Sequence, residues 1–347
     1  MIAWRAPYVA GLELTLRCPC RCVTCGSSAG KGRAEELSHE QWLGVIAALA
    51  DLGCRRMSLV GGEPLLYARW PELARSACDR GIIIDMVTSG QGLTTEVAER
   101  MIGAGQNSVT VSVDGLEATH DRQRAVPGCF AQALHAIRAA DGAGLKVGVT
   151  TQVNRETVDE LEALASILQD AGAIGWQLQM TLPMGRAAKN GHLTLAPDDM
   201  PELLRVLRRL ATRPGLRPHI TDNMGYCTSD DVQLRTIQGG FPRPWLGCRA
   251  GIDAIGITSD GRVKGCLSMP DQYCEGSLRE RSLPDIWQDP SAFGYNRRFI
   301  PEDLSGGCAT CEEAQRCRGG CTTAALTLHG RAHTSAHCFR LQNVRIT

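Results

Sequence analysis

The sequence lacks an excess of either charge, because 37 lysines and arginines are balanced by 37 aspartates and glutamates. No basic stripe is present, so the charge pattern gives no indication of a nucleic-acid partner. Residues 1–16 lack the basic start and the long apolar core of a signal peptide. No segment approaches the roughly 18 unbroken apolar residues of a membrane span. We therefore expect a cytoplasmic protein that binds neither nucleic acid nor membrane.

Cysteine, by contrast, is abundant and unevenly distributed. Of the 16 cysteines, four lie between positions 18 and 25 and five lie between positions 308 and 338. A secreted chain would use such clusters for disulfides, whereas the cytosol keeps thiols reduced. Without an export signal, metal binding is the favoured interpretation of both clusters.

Strand-like and helix-like segments alternate between about residues 10 and 215. Ser38, with Gln41 three positions later, indicates the N-cap of the first helix. Repeated strand–helix units predict a parallel sheet with right-handed crossovers. Six units are fewer than a closed barrel needs, so we expect a partial (β/α)6 barrel, with a doubly wound sheet as the alternative. The predicted strands are 11–17, 56–60, 82–88, 108–113, 146–153 and 174–181, and the predicted helices are 39–52, 70–80, 94–104, 130–140, 158–171 and 201–212.

The composition changes after residue 215, where glycine, proline and cysteine become more frequent. We divide the chain into a barrel domain over residues 1–215, a connecting segment over 216–246 and a cysteine-rich domain over 247–347. The last domain has few long apolar runs, so we expect metal rather than apolar burial to hold it together.

Cys18, Cys22 and Cys25 form a C-x3-C-x2-C motif directly after the first predicted strand. An iron–sulfur cluster normally takes four cysteines. Three thiolates would leave one iron open, and open coordination positions are where metals do chemistry. Zinc is the alternative, because it also binds closely spaced cysteines. Cys20 is not needed for the spacing.

The motif is followed, after the second predicted strand, by Gly61-Gly62-Glu63-Pro64. This order resembles the radical S-adenosylmethionine (SAM) superfamily. The resemblance implies that the open iron chelates SAM, that the glycine turn presents backbone groups to the SAM amine, and that Glu63 either fixes the turn or meets the ammonium. Glycines suit such a role because they permit close backbone approach.

Further positions along the barrel resemble the later motifs of the same family. The resemblance implies that Ser112 and Asp114 serve the ribose and carboxylate region of SAM, and that Arg124 pairs with the carboxylate, with Arg122 as a competitor. Gln152 and Asn154 are expected near the ribose, and Gln177 and Gln179 near SAM or substrate. The complete implied SAM site comprises Gly61, Gly62, Glu63, Pro64, Thr88, Ser112, Asp114, Arg124, Gln152, Asn154 and Gln177.

Cys248 is followed by Gly261-x4-Cys266, then by Cys308-x2-Cys311-x5-Cys317-x3-Cys321 and finally by Cys338. This array resembles the SPASM domain, an extension found in radical SAM enzymes. The resemblance implies two auxiliary 4Fe–4S clusters, and three 4Fe–4S clusters in total with the SAM-binding one. One auxiliary cluster is expected on Cys248, Cys266 and Cys321. Pro242 stands where some relatives have a fourth cysteine, so Cys227 is the first candidate for the fourth ligand and Cys274 the second; the remaining alternative is an iron left open, for substrate. The other is expected on Cys308, Cys311, Cys317 and Cys338. A zinc ribbon is the competing interpretation.

The resemblance implies an enzyme that reductively cleaves SAM and abstracts a hydrogen from its substrate through a 5′-deoxyadenosyl radical. A ribosomally made peptide is the expected substrate, modified by crosslinking, epimerisation or oxidation. The expected partners are a separate leader-binding protein and an electron donor such as flavodoxin or ferredoxin. A small-molecule sugar or aminocyclitol enzyme and a non-catalytic electron carrier are the alternatives.

Overall fold

A computed structural model describes residues 5–342, and a single twisted sheet runs through it. The strand order is β10-β9-β8-β1-β2-β3-β4-β5-β6-β7. Strands β1 to β7 are mutually parallel in sequence order, β8 pairs in parallel with β1, and β9 and β10 add antiparallel strands at one edge. The strands are Val9–Glu13, Arg56–Val60, Ile83–Thr88, Ser108–Ser112, Lys146–Val153, Gly175–Met180, Pro218–Ile220, Ala254–Ile257, Arg262–Lys264 and Gly276–Ser277, named β1 to β10 in that order.

Several helices pack against the parallel sheet. The first begins at the predicted cap, where the Ser38 and Gln41 side chains each bond the other's backbone N–H. Trp42, Trp70 and Trp176 are fully buried between helices and sheet. The helices are His39–Asp51, Trp70–Cys78, Thr95–Gly103, Glu117–Arg124, Cys129–Gly142, Leu161–Asp170, Met200–Thr212, Asp231–Arg235, Leu283–Gln288, Gly294–Arg297, Ala314–Cys317 and Thr322–His329, named α1 to α12 in that order.

The partial barrel predicted from the sequence is confirmed, with one more strand than expected. Strand β7 lies inside the predicted connecting segment and pairs in parallel with β6. The first strand also ends earlier than predicted, at Glu13 rather than Arg17. The Glu36 carboxylate accepts from the Thr15 hydroxyl at 2.9 Å and from the Leu16 N–H at 2.8 Å, which draws this segment away from the sheet.

The cysteine-rich region shares the main core of the molecule, contrary to the expectation of a domain held by metal alone. Trp287 and Phe293 are fully buried within the same apolar cluster as the barrel residues. Strand β8 lies directly beside β1, with Val9 opposite Ala254 and Leu12 opposite Ile257. Apolar burial and strand pairing therefore join the two regions. Between residues 5 and 342, no helix has the length and apolar character needed to cross a membrane.

Candidate active site and cluster-binding cysteines

Cys18, Cys22 and Cys25 border a cavity of about 800 Å³ at the carboxyl ends of the parallel strands. We call this space the first cavity. The Cys18 N–H donates to the Gly30 carbonyl at 3.1 Å, which closes the loop that carries the three thiols. Arg186, which follows β6, donates to the carbonyls of Cys22 and Ala29 at 2.7 Å each. The position of the loop is thus fixed by hydrogen bonds from Arg186 and by the backbone hydrogen bond between Cys18 and Gly30.

The electrostatics of the loop favour thiolates, the form in which cysteine binds metal. A hydrogen bond from Cys20 lowers the pKa of Cys22 to about 6, and the Arg124 charge lowers it further while burial opposes both. Cys20 also lowers the pKa of Cys18. The pKa of Cys20 itself is raised by hydrogen bonds with Cys129 and the loop thiols. These contacts therefore disfavour the thiolate of Cys20, in contrast to those of Cys18 and Cys22.

The turn after β2 is locked against this loop. The Gly62 N–H donates to the Thr15 carbonyl at 2.7 Å, and the Glu63 N–H donates to the Arg17 carbonyl at 2.8 Å. A Cβ at Gly61 or at Gly62 would overlap the backbone oxygens of Thr15 and of Arg17, respectively. Both positions therefore require glycine for the close approach that brings the turn to the first cavity.

Glu63 fixes this turn to the end of β3. Its carboxylate accepts from the Thr88 hydroxyl at 2.7 Å, from the Ser89 N–H at 2.9 Å and from the Ser89 hydroxyl at 2.6 Å. Burial raises the pKa of Glu63, although these hydrogen bonds oppose the shift. Both carboxylate oxygens are engaged, so the geometry favours the turn-fixing role over contact with an ammonium. Pro64 is buried and begins a short 3₁₀ turn after Glu63.

Asp114 and Arg124 form a buried ion pair on the wall of the first cavity, with an Oδ2–Nη2 distance of 2.7 Å. Asp114 also accepts from the Gln152 N–H at 2.8 Å. The Arg124 Nε and the Thr150 Oγ1 are buried without a hydrogen-bond partner among residues 5–342. Such orphaned groups on a cavity wall fit a polar ligand that carries a carboxylate and hydroxyls.

The first cavity collects most of the residues predicted for the SAM site. Gly61, Gly62, Thr88, Ser112, Asp114, Arg124 and Gln152 all border it. Asn154 does not, because its amide bonds with Gln123 at 3.1 Å inside the protein. Gln177 borders a neighbouring cavity instead, whereas Gln179 borders both. Arg122 pairs with Glu156 at 3.0 Å and does not border the first cavity, so of the two candidate arginines Arg124 is the one on its wall.

Cys248, Cys266 and Cys321 border a second cavity, of about 1930 Å³. We call these three cysteines the proximal set and this space the proximal cavity. A hydrogen bond from Cys321 lowers the pKa of Cys248 to about 6. The Cys321 N–H in turn donates to the Tyr226 hydroxyl at 3.2 Å. Cysteines from an earlier and a later segment of the chain therefore border the same cavity.

Cys227 occupies a different place from the expected one. It borders a cavity of about 320 Å³ together with the distal set, which comprises Cys308, Cys311, Cys317 and Cys338. A hydrogen bond with Cys317 lowers the pKa of Cys227. Tyr226, its neighbour in sequence, packs against Trp245 with ring centroids 5.0 Å apart. The four thiols of the distal set and the thiol of Cys227 therefore border one cavity, whereas the three thiols of the proximal set border the other.

The cysteine sets supply the donor atoms that iron–sulfur clusters need. A cubane cluster takes thiolate ligands on several of its irons. The three sets therefore fit iron–sulfur clusters in their donor chemistry.

Three residues of this site could not be predicted from the sequence. Cys129 lies against the first cysteine loop, although an isolated cysteine more often serves as a small buried apolar residue. The Gln91 amide donates to Cys20 at 2.9 Å and to Cys129 at 3.5 Å. Arg186 lies more than 150 positions from the loop that it holds. Only the tertiary structure brings these side chains together.

Two family models match the chain, one over the region that holds the first cysteine loop and one over part of the C-terminal cysteine-rich region. The model described as "Radical SAM superfamily" matches residues 12–168, and SPASM, described as "Iron-sulfur cluster-binding domain", matches residues 248–312. The chain belongs to the radical SAM superfamily. It is a SPASM-type radical SAM enzyme, so the alternative of a non-catalytic electron carrier is discarded. SAM and iron–sulfur clusters are accordingly its cofactors.

Known radical SAM proteins resemble this enzyme over most of its length. The "AdoMet-dependent heme synthase" of Methanosarcina barkeri is 28% identical over 323 residues, which cover 90% of this chain and 91% of the relative. The "PqqA peptide cyclase" of Rhizobium meliloti is 28% identical over 344 residues, covering 96% and 87% respectively. SuiB of Streptococcus suis, solved with bound S-adenosylmethionine, shares the fold with a TM-score of 0.74 at 16% identity, covering 96% of this chain and 77% of SuiB.

Proposed function

We propose that the enzyme reductively cleaves SAM at the first cavity and abstracts a hydrogen atom from a ribosomally made peptide. The observation that carries the first half is the convergence of three elements on one cavity. These are the Cys18–Cys22–Cys25 loop, the Gly61–Gly62 turn and the Asp114–Arg124 pair. Bound there, SAM and a reduced cluster supply methionine and a 5′-deoxyadenosyl radical.

The residues of the first cavity have distinct proposed roles. Cys18, Cys22 and Cys25 hold the cluster, and the backbone of the glycine turn receives the SAM amine. The unpartnered Nε of Arg124 is suited to the SAM carboxylate because burial strengthens a charge-assisted hydrogen bond. Ser112, Thr88 and Gln152 border the remaining wall and suit the ribose. The proximal and distal sets hold two auxiliary clusters, which gives three 4Fe–4S clusters in all.

The peptide proposal is supported by the space beside the first cavity. A central cavity of about 1820 Å³ shares Gln152 and Gln179 with the first cavity, and its volume suits an extended chain segment. The PqqA peptide cyclase is a full-length relative, and SuiB has been solved with its precursor peptide SuiA. In this proposal a separate leader-binding protein presents the peptide, and flavodoxin or ferredoxin supplies the electron.

A heme precursor is a second candidate substrate, favoured by one specific observation. The proximal cavity is bordered by five arginines, namely Arg5, Arg235, Arg243, Arg249 and Arg318, against two aspartates, Asp222 and Asp253. This net positive wall suits an anionic small molecule. The similarity to the heme synthase of Methanosarcina barkeri, over 90% of this chain, points the same way.

The cleavage half is tested by replacing a ligand of the first loop. We expect Cys22→Ala to abolish 5′-deoxyadenosine formation from SAM under dithionite, while about 8 of about 12 irons remain in the auxiliary sites. Cys78→Ala is the matched control, because Cys78 lies outside all three sets and its thiol donates to the Gly105 carbonyl at 3.3 Å. Undiminished cleavage by Cys22→Ala would contradict the proposal.

The substrate half is tested by the product. We expect incubation of the reduced enzyme and SAM with its cognate peptide to change the peptide mass by the loss of hydrogen or to exchange solvent deuterium into it. Modification of a heme precursor and of no peptide would select the second candidate instead.

A further inference from the structure

The cavity of the distal set is bordered by one thiol more than a cubane cluster has irons. The four cysteines of the distal set border this cavity, which we call the distal cavity, and Cys227 borders it as well. A 4Fe–4S cluster takes four cysteine thiolates from the chain, one on each iron. One of the five thiols is therefore left without an iron when the cluster is complete.

Cys227 is held at the distal cavity in a backbone conformation that a cysteine rarely adopts. Its φ angle is 49°, in the left-handed region, and its side chain is buried. A residue with a Cβ pays for this conformation in steric strain. Such strain persists only where the surrounding structure fixes it, and it is found most often at functional sites.

Buried and paired arginines fix the segment on both sides of Cys227. Arg235 is buried, donates to the Gly225 carbonyl at 2.8 Å and pairs with Asp231 at 3.0 Å. Arg340 donates to the carbonyl of Cys227 itself at 3.4 Å. These hydrogen bonds hold the backbone of Cys227 in place, so the position of its thiol at the distal cavity is built into the fold.

The thiols of Cys227 and Cys317 lie next to each other. They hydrogen-bond one another, although Cys227 follows β7 and Cys317 ends α11. The Trp245 indole N–H donates to the Cys317 carbonyl at 3.2 Å and anchors the second of the two segments. Two thiols in contact reach the same corner of a cluster, where a single iron takes only one of them.

We propose that Cys227 and Cys317 are alternative ligands of one iron in the distal cluster. The inference rests on the auxiliary clusters of the proposed function and adds a fifth cysteine to the ligands of one of them. When Cys227 replaces Cys317, its thiol gives its proton to the Cys317 sulfur, one iron–sulfur bond forms and one breaks, and no electron is gained or lost. The distal cluster would then survive the oxidation of either thiol to a sulfenic acid.

The test is electron paramagnetic resonance of the reduced full-length chain with Cys18→Ala/Cys22→Ala/Cys25→Ala, which removes the first cluster and leaves about 8 irons. Iron–sulfur clusters prefer soft thiolate to a serine oxygen. We therefore expect Cys227→Ser and Cys317→Ser each to leave the g values unchanged, because the other thiol remains on the iron. The two substitutions together should shift the g values of one cluster.

Cys308→Ser is the matched control. Cys308 borders the same cavity and is 7% exposed, against 8% for Cys317, and its thiol is hydrogen-bonded by the Ser335 backbone. This single substitution should shift the g values by itself, because Cys308 has no second thiol in the proposal to replace it.

Two results would overturn the inference. A shift caused by either Cys227→Ser or Cys317→Ser alone would make that thiol the one ligand, and an unshifted double variant would make neither thiol a ligand. Alanine variants give a second measurement if a serine variant does not assemble. We expect about 8 irons in Cys317→Ala and about 4 when Cys227→Ala is added, and equal iron contents would contradict the proposal.

Failure of this inference is distinguishable from failure of the proposed function. A chain without substitutions in the distal or proximal set that retains no auxiliary iron would remove the auxiliary clusters themselves. A shift caused by one single variant would remove only the exchange of ligands. Formation of 5′-deoxyadenosine by the unmutated enzyme tests the cleavage of SAM separately.

Discussion

The Asp114–Arg124 pair offers the sharpest test of how the first cavity is built. The two side chains are only 1% and 12% exposed, and their charged atoms lie 2.7 Å apart. Breaking a buried pair by neutralising one partner costs about 3–5 kcal/mol, because the other charge stays buried. At about 2.1 cal/mol/K of unfolding entropy per residue, a chain of 347 residues loses about 1.4 °C of Tm per kcal/mol. We therefore expect Asp114→Asn to lower the Tm by about 4–7 °C.

The assay is scanning calorimetry of the anaerobically purified holoenzyme, with Arg122→Gln as the control, because Arg122 lies on the helix that carries Arg124. The Arg122–Glu156 pair is exposed, so its loss should cost less than about 1 kcal/mol. The double variant Asp114→Asn/Arg124→Gln should cost clearly less than the sum of the two single variants. Additive costs within about 0.5 kcal/mol, or equal Tm values for Asp114→Asn and Arg122→Gln, would refute the reasoning.

Three further outcomes follow from the cysteine sets and the glycine turn. Gly62→Ala should abolish SAM binding in equilibrium dialysis, whereas Gly44→Ala, at an open helix position, should leave the Kd unchanged; an unchanged Kd for Gly62→Ala would show that the turn tolerates a Cβ. Glu63→Ala should destabilise the protein by roughly 3 kcal/mol in thermal unfolding because it strands buried donors, and Glu63→Gln by less; equal losses would argue against charge-assisted bonds. Cys266→Ser should remove about four irons by elemental analysis, whereas Cys227→Ser should remove none because the distal set keeps four thiolates; the reverse pattern would restore Cys227 to the proximal cluster.

The fold could be predicted where the sequence carries a local periodic signal. Strand β5 has the predicted bounds, residues 146–153, and α1 begins at the predicted cap. Helix α4 was missed because its sequence, Glu117–Arg124, is almost entirely polar and shows no apolar stripe. Strand β7 was missed because three residues are too few to show a period of two. The pairing of β8 with β1 joins residues more than 240 positions apart, and no local pattern encodes it.

The site was predictable to the extent that its residues form compact motifs. The first cysteine loop and the glycine turn each lie within a few positions, and the strand order brings them together. Gln177 and Gln179 share one face of β6, but only Gln179 is close enough to the carboxyl end to border the first cavity. Cys227 was assigned as the replacement for the cysteine whose place Pro242 takes, and its neighbours in the fold depend on how its segment packs around Tyr226 and Trp245.

The parallel pairing of β1 with β8 has a practical consequence for experiments on separate fragments of this enzyme. A fragment that stops at residue 247 would leave the β1 edge with unsatisfied N–H and C=O groups, including the Val9 N–H that now donates to Asp253 at 3.0 Å. A strand edge with unpaired backbone groups can pair with another chain, and such pairing leads to aggregation. The barrel should therefore be insoluble when expressed by itself, and the chain is better studied through point substitutions than through truncation.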